Sequence, residues 1–181
     1  IGPVSIPQSP LGFEAVARAI AYQQLTGKAA RTIWERVLAR FEGAPFTPEG
    51  VLRKRPATLR AAGLSEAKVE SLRDLARHVA DGRLALDALP GLPDDEVIAA
   101  LVRVRGIGPW SAHMHLIFSL ARPDVWPTGD YGVKKGLQRW LGLAEIPTPR
   151  EAEALGEPYR PWRTVLAWSM WRIHELERWE V

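Results

Sequence analysis

The sequence contains no cysteine among its 181 residues, and it has no long apolar run. The lack of thiols excludes disulfides, thiol catalysis, cysteine-ligated zinc and iron–sulfur clusters, and it fits a cytoplasmic protein. Without a run of about eighteen apolar residues, no membrane span is predicted. The first ten residues, IGPVSIPQSP, are uncharged and Pro-rich, unlike a secretory signal. Ile1 is not an initiator methionine, so we expect further residues before it.

Net charge is low, but most of the basic residues are arginine. There are 24 Lys and Arg residues against 21 Asp and Glu residues, which gives a net charge of +3, and arginine is much more frequent than lysine. Because a guanidinium group binds phosphate in a bidentate manner, this bias favours a nucleic-acid partner. A GC-rich genome, which encodes Arg, Ala, Leu and Pro heavily, is the alternative explanation. The length suits one medium domain or two small lobes.

Apolar residues recur at helical spacing almost throughout, and no stretch alternates as a strand does. Ser9 and Pro10 predict the start of a first helix, and Gly27 separates it from a second. Thr47 and Ser65 predict N-caps of later helices. The Trp-rich C-terminal segment predicts a long last helix. We therefore predict an all-α fold.

The segment LVRVRGIGPWSA, residues 101–112, interrupts the helical pattern. Gly106 and Gly108 can adopt positive φ and let another backbone approach, and Pro109 suits the first turn of the next helix. Unpaired N–H groups at that turn point outward, where the helix dipole favours an anion. Taken alone, however, the tripeptide GIG is more typical of a simple tight turn.

The wider context points to a known family. Eighteen residues after Ala112, an aspartate stands in DVWPTGDYGVKK. Together the two segments resemble the helix–hairpin–helix and the Gly/Pro-rich loop with aspartate of the DNA glycosylase superfamily. Further segments resemble its AlkA branch, the 3-methyladenine DNA glycosylases II, and occur in the family's order: AIAYQQLTGKAA, LRAAGLSEAKVESLRDLA and EPYRPWRTVLAWSMWR.

This resemblance implies one helix–hairpin–helix glycosylase unit over 1–181, built as two helical lobes that flank a DNA-binding cleft. We expect a central lobe at about 28–125 and a second lobe from about 1–27 plus 126–181. The loop at 121–129, which contains two prolines, is the expected seam between them.

Three features depart from the family pattern. The β-rich N-terminal domain that some members carry is not found in this sequence. Gly129 stands where some relatives have a second aspartate, and Met114 stands where an aromatic residue often lines the pocket. The last difference affects the expected substrate range more than the expected activity.

Asp130 is the expected catalytic carboxylate. Its local pattern is that of an ordinary helix N-cap, whereas the resemblance assigns it the family's single required acid. The two roles are compatible, since a helix N-terminus keeps an acid ionised and oriented. Cleavage of an N-glycosidic bond creates positive charge on the sugar, which a fixed carboxylate stabilises while it orients or deprotonates water. An alkylated purine is a cationic leaving group, so no second acid is needed.

Trp110 indicates which reaction to expect. In superfamily members that also cleave the strand, a nucleophilic lysine occupies this position and forms a Schiff base. Tryptophan cannot do so, and the resemblance therefore implies hydrolysis without lyase activity. Lys134 and Lys135 follow Asp130 by one turn and are expected to face solvent or phosphate.

The resemblance also places residues in a base pocket: Trp110, Trp171, Tyr22 and Met114. Indole faces suit a flipped, cationic alkylpurine through stacking and cation–π attraction, although large aromatic residues at helical spacing usually belong to the core. Gln24 aligns with the side chain that fills the gap left by the flipped base, and an exposed glutamine at a helix end is the alternative. Gln23 is expected to brace the pocket instead.

The hairpin is expected to hold the DNA backbone. The backbone amides of Gly106, Gly108 and Ser111 match the family's phosphate donors, and such contacts position a duplex without reading its sequence. The resemblance further implies a monovalent cation, Na⁺ or K⁺, on three carbonyls: those of Val102, Val104 and Ile107. No organic cofactor and no iron–sulfur cluster are expected. His113 and His115 point to different helix faces, which does not suit a metal site.

These expectations define a monofunctional DNA glycosylase that hydrolyses alkylated bases of the 3-methyladenine and 7-methylguanine type in base excision repair. Its partner would be double-stranded DNA carrying such bases, with no membrane partner. The resemblance implies a monomer located in the cytoplasm, with the bacterial nucleoid. Two alternatives remain open: a non-catalytic helix–hairpin–helix DNA-binding module, and a glycosylase for a different base lesion.

Overall fold

The structure is a computed structural model that describes residues 2, 4–25 and 27–176. No strand occurs within these ranges, so the predicted all-α fold is confirmed. Two 3₁₀ turns, Leu86–Gly91 and Glu157–Tyr159, accompany the α-helices. The α-helices are α1 (Phe13–Tyr22), α2 (Gly27–Ala39), α3 (Pro48–Arg53), α4 (Pro56–Ala61), α5 (Glu66–Ala80), α6 (Asp94–Leu101), α7 (Pro109–Phe118), α8 (Tyr131–Leu141), α9 (Pro149–Gly156) and α10 (Arg163–Glu175).

Helix starts follow the cap residues of the sequence in most places. The Thr47 hydroxyl accepts from Gly50 N and the Ser65 hydroxyl accepts from Lys68 N, as predicted. The predicted start at Ser9 and Pro10 is wrong, because α1 begins only after Gly12. Gly12 has a φ of 93°, a conformation that interrupts a right-handed helix and that glycine adopts at little cost.

The described chain forms two compact units. The first, called here the hairpin unit, is Ser9–Ala112; the second, the aspartate unit, contains the described parts of Ile1–Gln8 and His113–Val181. These boundaries differ from the expected lobes, since residues 9–27 join the hairpin unit. The physical reason is that α1 packs against α2 and α5.

The hairpin unit is organised around α5, which packs against α1, α3 and α4. Its largest fully buried side chains are aliphatic and come from several helices, among them Ile20, Val37, Leu59, Leu72, Leu75 and Leu101. Burial of each such side chain stabilises the folded state by about 1.5–3 kcal/mol. Because α5 contacts three other helices, it is the central helix of this unit.

The aspartate unit is built on the packing of α8 against α10. The two helices come so close that a Cβ on Gly136 would collide with the backbone carbonyl of Met170. Around this contact lies one apolar cluster: Trp126, Val133, Leu137, Ala152, Leu166, Ala167, Met170 and Ile173. In the described residues, no helix is both long and apolar enough to cross a membrane.

Candidate active site and nucleic-acid interface

Asp130 is both the N-cap of α8 and a buried carboxylate, only 9% exposed. Its Oδ1 accepts two hydrogen bonds of 2.8 Å, one from Val133 N and one from Trp171 Nε1. The first is the ordinary cap interaction, which lies at the positive end of the helix dipole. The second comes from α10, so tertiary packing fixes the orientation of the carboxylate.

Trp171 is held from two sides within the aspartate unit. Its ring stacks on Phe118, with ring centroids 5.9 Å apart and an interplanar angle of 21°. A Cβ on Gly132 would lie 2.8 Å from Trp171 Cδ1 and 3.2 Å from Asp130 Oδ1. A side chain at this position would therefore disturb the pair. The sequence analysis missed Gly132, for which the only signal was a glycine two residues after the predicted catalytic acid.

An ion pair anchors the loop that leads to Asp130. Asp124 Oδ1 accepts from the Nε of Arg163 at 2.7 Å, and Arg163 is only 7% exposed. Hydrogen bonding from Arg163 holds the pKa of Asp124 below its ordinary value. Trp126 Nε1 further donates to Ala152 O at 2.8 Å. The loop at 121–129 lies entirely within the aspartate unit, so the prediction that it is the seam between lobes is wrong.

The expected pocket residues fall into both units. Asp130, Trp171 and the half-buried Met114 belong to the aspartate unit, where the first two are in direct contact. Trp110 and Tyr22 belong to the hairpin unit. Trp110 is 47% exposed, so it is not a core residue.

The third aromatic candidate, Tyr22, is the last residue of α1, and the guanidinium group of Arg18 lies over its ring. The Arg18 guanidinium carbon lies 4.9 Å from the ring centroid. One face of Tyr22 therefore already has a cation–π partner. Because Arg18 occupies this face, Tyr22 is less suited than Trp110 or Trp171 to stack on a cationic base.

The hairpin glycines differ in their conformational needs. Gly106 has a φ of 77°, and a Cβ there would collide with the Ser71 hydroxyl. Gly108 was also expected to allow positive φ, but its φ is not positive, and a Cβ added there would meet no atom within 4 Å. Gly106 thus serves the fold of the hairpin, while Gly108 leaves open space beside the first turn of α7.

Side chains of α5 support the hairpin from one side. Asp74 Oδ2 accepts from Arg105 N at 2.9 Å, and Glu70 Oε2 pairs with Arg105 Nη2 at 2.7 Å. Ser71 fills the space against Gly106. The sequence analysis missed these three residues, since 31 positions separate Asp74 from Arg105 and no local pattern links them.

The loop after α1 is tied to both α5 and the hairpin. Lys68 Nζ donates to Ala21 O at 2.9 Å and to Gln23 O at 2.7 Å, and burial lowers the pKa of Lys68. Gln23 Nε2 donates to Gly106 O at 3.0 Å and to Ser111 Oγ at 3.1 Å. Gln24 is exposed and has a φ of 56°. The side chain of Gln23 therefore binds the hairpin, and its expected contact with the base pocket stays a prediction.

The expected cation ligands are neutral backbone oxygens. Hard monovalent cations prefer such oxygen donors, so Val102, Val104 and Ile107 fit Na⁺ or K⁺ in chemical type. Val104 O accepts from Ile107 N at 3.0 Å, and a carbonyl oxygen retains a second lone pair for a cation. The described residues contain no cluster of His, Asp or Glu suited to a metal ion. Burial lowers the pKa of both His113 and His115.

Several known proteins are similar to this chain in sequence. Residues 17–161 match the model of the HhH-GPD superfamily base excision DNA repair protein. The chain is 34% identical over 166 residues to DNA-3-methyladenine glycosylase 1 of Schizosaccharomyces pombe, covering 91% of this chain and 73% of that protein. It is 29% identical over 168 residues to DNA-3-methyladenine glycosylase 2 of Escherichia coli, covering 88% of this chain and 56% of that protein.

Solved structures agree. The DNA-3-methyladenine glycosidase of Bacillus halodurans superimposes with a TM-score of 0.85 at 35% identity, over 95% of this chain and 79% of that one. The 3-methyladenine DNA glycosylase of Schizosaccharomyces pombe, in complex with abasic DNA, gives a TM-score of 0.82 at 31% identity, over 99% of this chain and 88% of that one. These likenesses confirm the helical glycosylase fold, and the chain therefore belongs to the HhH-GPD superfamily of base excision DNA repair proteins.

Proposed function

We propose that this protein is a monofunctional DNA glycosylase that removes alkylated bases, of the 3-methyladenine and 7-methylguanine type, from double-stranded DNA. The observation that carries the proposal is the Asp130 carboxylate, buried at the start of α8 and oriented by Trp171. The relatives named as 3-methyladenine glycosylases support the same substrate class.

The chemistry requires one fixed negative charge. As the bond from C1′ to the base nitrogen breaks, its electron pair leaves with the base and positive charge builds on the sugar. Asp130 stabilises that charge and accepts a proton from the water that attacks C1′. An N-alkylated purine is cationic before cleavage and leaves as a neutral base, so it needs no acid.

Recognition of the base would use the indole rings. Trp110 is accessible and Trp171 has one face against Phe118, so each can offer an electron-rich surface to a cationic purine. Tyr22 and Met114 would complete the pocket, and Met114 supplies a flexible, polarisable side chain in place of an aromatic ring. Gln24, exposed at the end of the α1 loop, would fill the space that the flipped base leaves.

The hairpin would hold the DNA backbone beside the lesion. The N–H groups of Gly106, Gly108 and Ser111 are the proposed phosphate donors. Gly108 and Ser111 lie at the start of α7, where amides have no intrahelical acceptor, and Gly106 lies in the turn before it. A monovalent cation on the carbonyls of Val102, Val104 and Ile107 would add positive charge at the same place. We propose that one chain acts alone, as a monomer, and that it works in the cytoplasm, on the bacterial nucleoid.

A base-release assay tests this function. The purified protein is incubated with duplexes that contain methylated purines, hypoxanthine or oxidised purines, and with an unmodified duplex as the control. We expect release of 3-methyladenine and 7-methylguanine only. Binding to all duplexes without release of any base would favour the non-catalytic module, and preferential release of hypoxanthine or an oxidised purine would favour the glycosylase for a different lesion.

We predict that borohydride does not trap a covalent complex of this protein with methylated DNA. Trapping requires a Schiff base between an amine and C1′, and Trp110 offers no amine. Lys135 Nζ is engaged with Gln138 Oε1 at 2.6 Å. The measurement is a denaturing gel after reduction, with a strand-cleaving member of the superfamily as the positive control. A shifted band for this protein would contradict the prediction.

A further inference from the structure

We propose that Lys68 and Gln23 are positioning residues which couple the hairpin's hold on the DNA backbone to the loop that enters the duplex. The inference rests on the proposed function, because it assigns these residues a part in base extrusion. It concerns only the hairpin unit, to which all the residues involved belong.

Lys68 binds the backbone of the loop that follows α1. Its ammonium group donates to the carbonyl oxygens of Ala21 and Gln23, at the C-terminal end of α1. A cation at this end of a helix satisfies carbonyls that lack intrahelical partners, and it complements the helix dipole. Lys68 thereby fixes the backbone on the N-terminal side of Gln24.

Gln24 needs such support, because its φ of 56° lies in the left-handed region. For a residue other than glycine this conformation is sterically unfavourable, because the Cβ comes too close to the backbone carbonyl oxygen. The backbone of Gln24 therefore does not favour this conformation by itself. Bonds made by its neighbours must supply the stabilisation, and the ammonium contact to Gln23 O is the charged one among them.

Gln23 connects the same loop to the hairpin. Its amide donates to the carbonyl of Gly106 and to the hydroxyl of Ser111, which are 83 and 88 residues away in sequence. Gly106 and Ser111 are also proposed phosphate-binding residues. A single side chain thus links the loop that carries Gln24 to the backbone that would hold the phosphate.

Helix α5 completes the connection through one face. Lys68, Ser71 and Asp74 are spaced three residues apart, so they lie along one side of the helix. Lys68 contacts the α1 loop, Ser71 lies against Gly106, and Asp74 accepts from Arg105 N. The loop and the hairpin therefore rest on the same rigid helix, which fixes their mutual distance before DNA arrives.

This arrangement makes a specific kinetic prediction. Lys68 should matter when a paired base has to be unstacked, and it should matter little when the target base has no partner. Because hydrogen bonds from a charged group are stronger than those between neutral groups, we expect Lys68→Met to slow single-turnover release from paired DNA by roughly 10–100-fold. For the same methylated base opposite an abasic-site analogue, we expect a loss of less than about threefold, since unstacking is then cheap.

Two further variants serve the same test. Lys68→Arg keeps the positive charge and its donors and should restore most of the rate on paired DNA. Gln23→Met removes the link to the hairpin and should show the same dependence on pairing as Lys68→Met. Arg73→Met is the matched control, because Arg73 also lies on α5 and donates to the carbonyls of Val51, Leu52 and Lys54. It should lower the melting temperature without any difference between paired and unpaired targets.

A binding measurement that needs no base release separates this inference from the proposed function. The probe is a duplex with a tetrahydrofuran abasic analogue beside a 2-aminopurine, whose fluorescence rises when it is unstacked. We expect Lys68→Met to bind this duplex with nearly unchanged Kd but with a smaller fluorescence rise than the wild type. A full rise in Lys68→Met, or an equal loss of rate on paired and unpaired targets, overturns the inference. If the wild type releases no base yet shows the rise, the proposed function fails and the positioning role stands.

Discussion

Asp130→Asn should bind methylated duplex DNA with an affinity near that of the wild type, yet release alkylated base at least about 10³-fold more slowly. The hydrogen bonds from Val133 N and Trp171 Nε1 both reach Oδ1, an atom that asparagine can retain as an acceptor. Asparagine is also an equally good N-cap, so α8 should keep its start. What changes is the charge, which in the proposed mechanism stabilises the sugar cation and accepts the proton of the attacking water.

The measurement is single-turnover base release, with Kd and melting temperature determined on the same preparation. Asp124→Asn is the matched control, since this carboxylate stands in the preceding loop and binds Arg163 rather than substrate. Weaker bonds to a buried guanidinium should cost about 1–3 kcal/mol of stability, with release by the folded enzyme changed far less. Near-wild-type release by Asp130→Asn would falsify the catalytic assignment.

Gly106→Val and Gly108→Val should both abolish tight duplex binding, but only the first should destabilise the protein. Valine at Gly106 must adopt a φ of 77° and displace Ser71, which together cost about 2–4 kcal/mol of folding free energy. Valine at Gly108 meets no atom within 4 Å of its Cβ, so the melting temperature should stay within about 2 °C. It would occupy the space that a phosphate needs beside the amides of α7.

Binding is measured by fluorescence anisotropy on several duplexes of different sequence, at two or more salt concentrations. For Gly108→Val we expect an affinity loss of about 10–100-fold that is the same for every sequence, because a phosphate contact carries no sequence information. Gly91 lies in the 3₁₀ turn, and a Cβ added there would also meet no atom within 4 Å, so Gly91→Val provides a control. A loss confined to one sequence context would argue for base contacts instead.

Local sequence signals predicted a large part of the fold. Thr47 and Ser65 were identified as N-caps because a hydroxyl at that position accepts a first-turn N–H regardless of what packs around the helix. The failure at Ser9 and Pro10 has a local cause as well, since Gly12 stands inside the predicted first turn and adopts a left-handed conformation.

The candidate site was only partly predictable. Asp130 could be placed at a helix start from its own neighbourhood, but its partner Trp171 is 41 positions away and belongs to another helix. Gly106 and Gly108 look alike in sequence, and only the structure distinguishes them, by the φ of 77° at Gly106 and by the position of Ser71. The contacts of Gln23 with the hairpin could not be predicted for the same reason, because its acceptors lie on a segment 83 residues further along.

By itself, the sequence determined the helical class, most helix starts, the family of the chain and the identity of the candidate carboxylate. The helical class and the helix starts follow from periodicity and caps, which act between residues close in the chain. The family and the candidate carboxylate follow from the resemblance of several segments to known glycosylases. The tertiary structure alone decided which glycine the hairpin cannot replace, which indole orients Asp130, and that Lys68 and Gln23 link the α1 loop to the hairpin. Such contacts join residues that are distant in sequence, and only the packing of helices brings them within hydrogen-bonding distance.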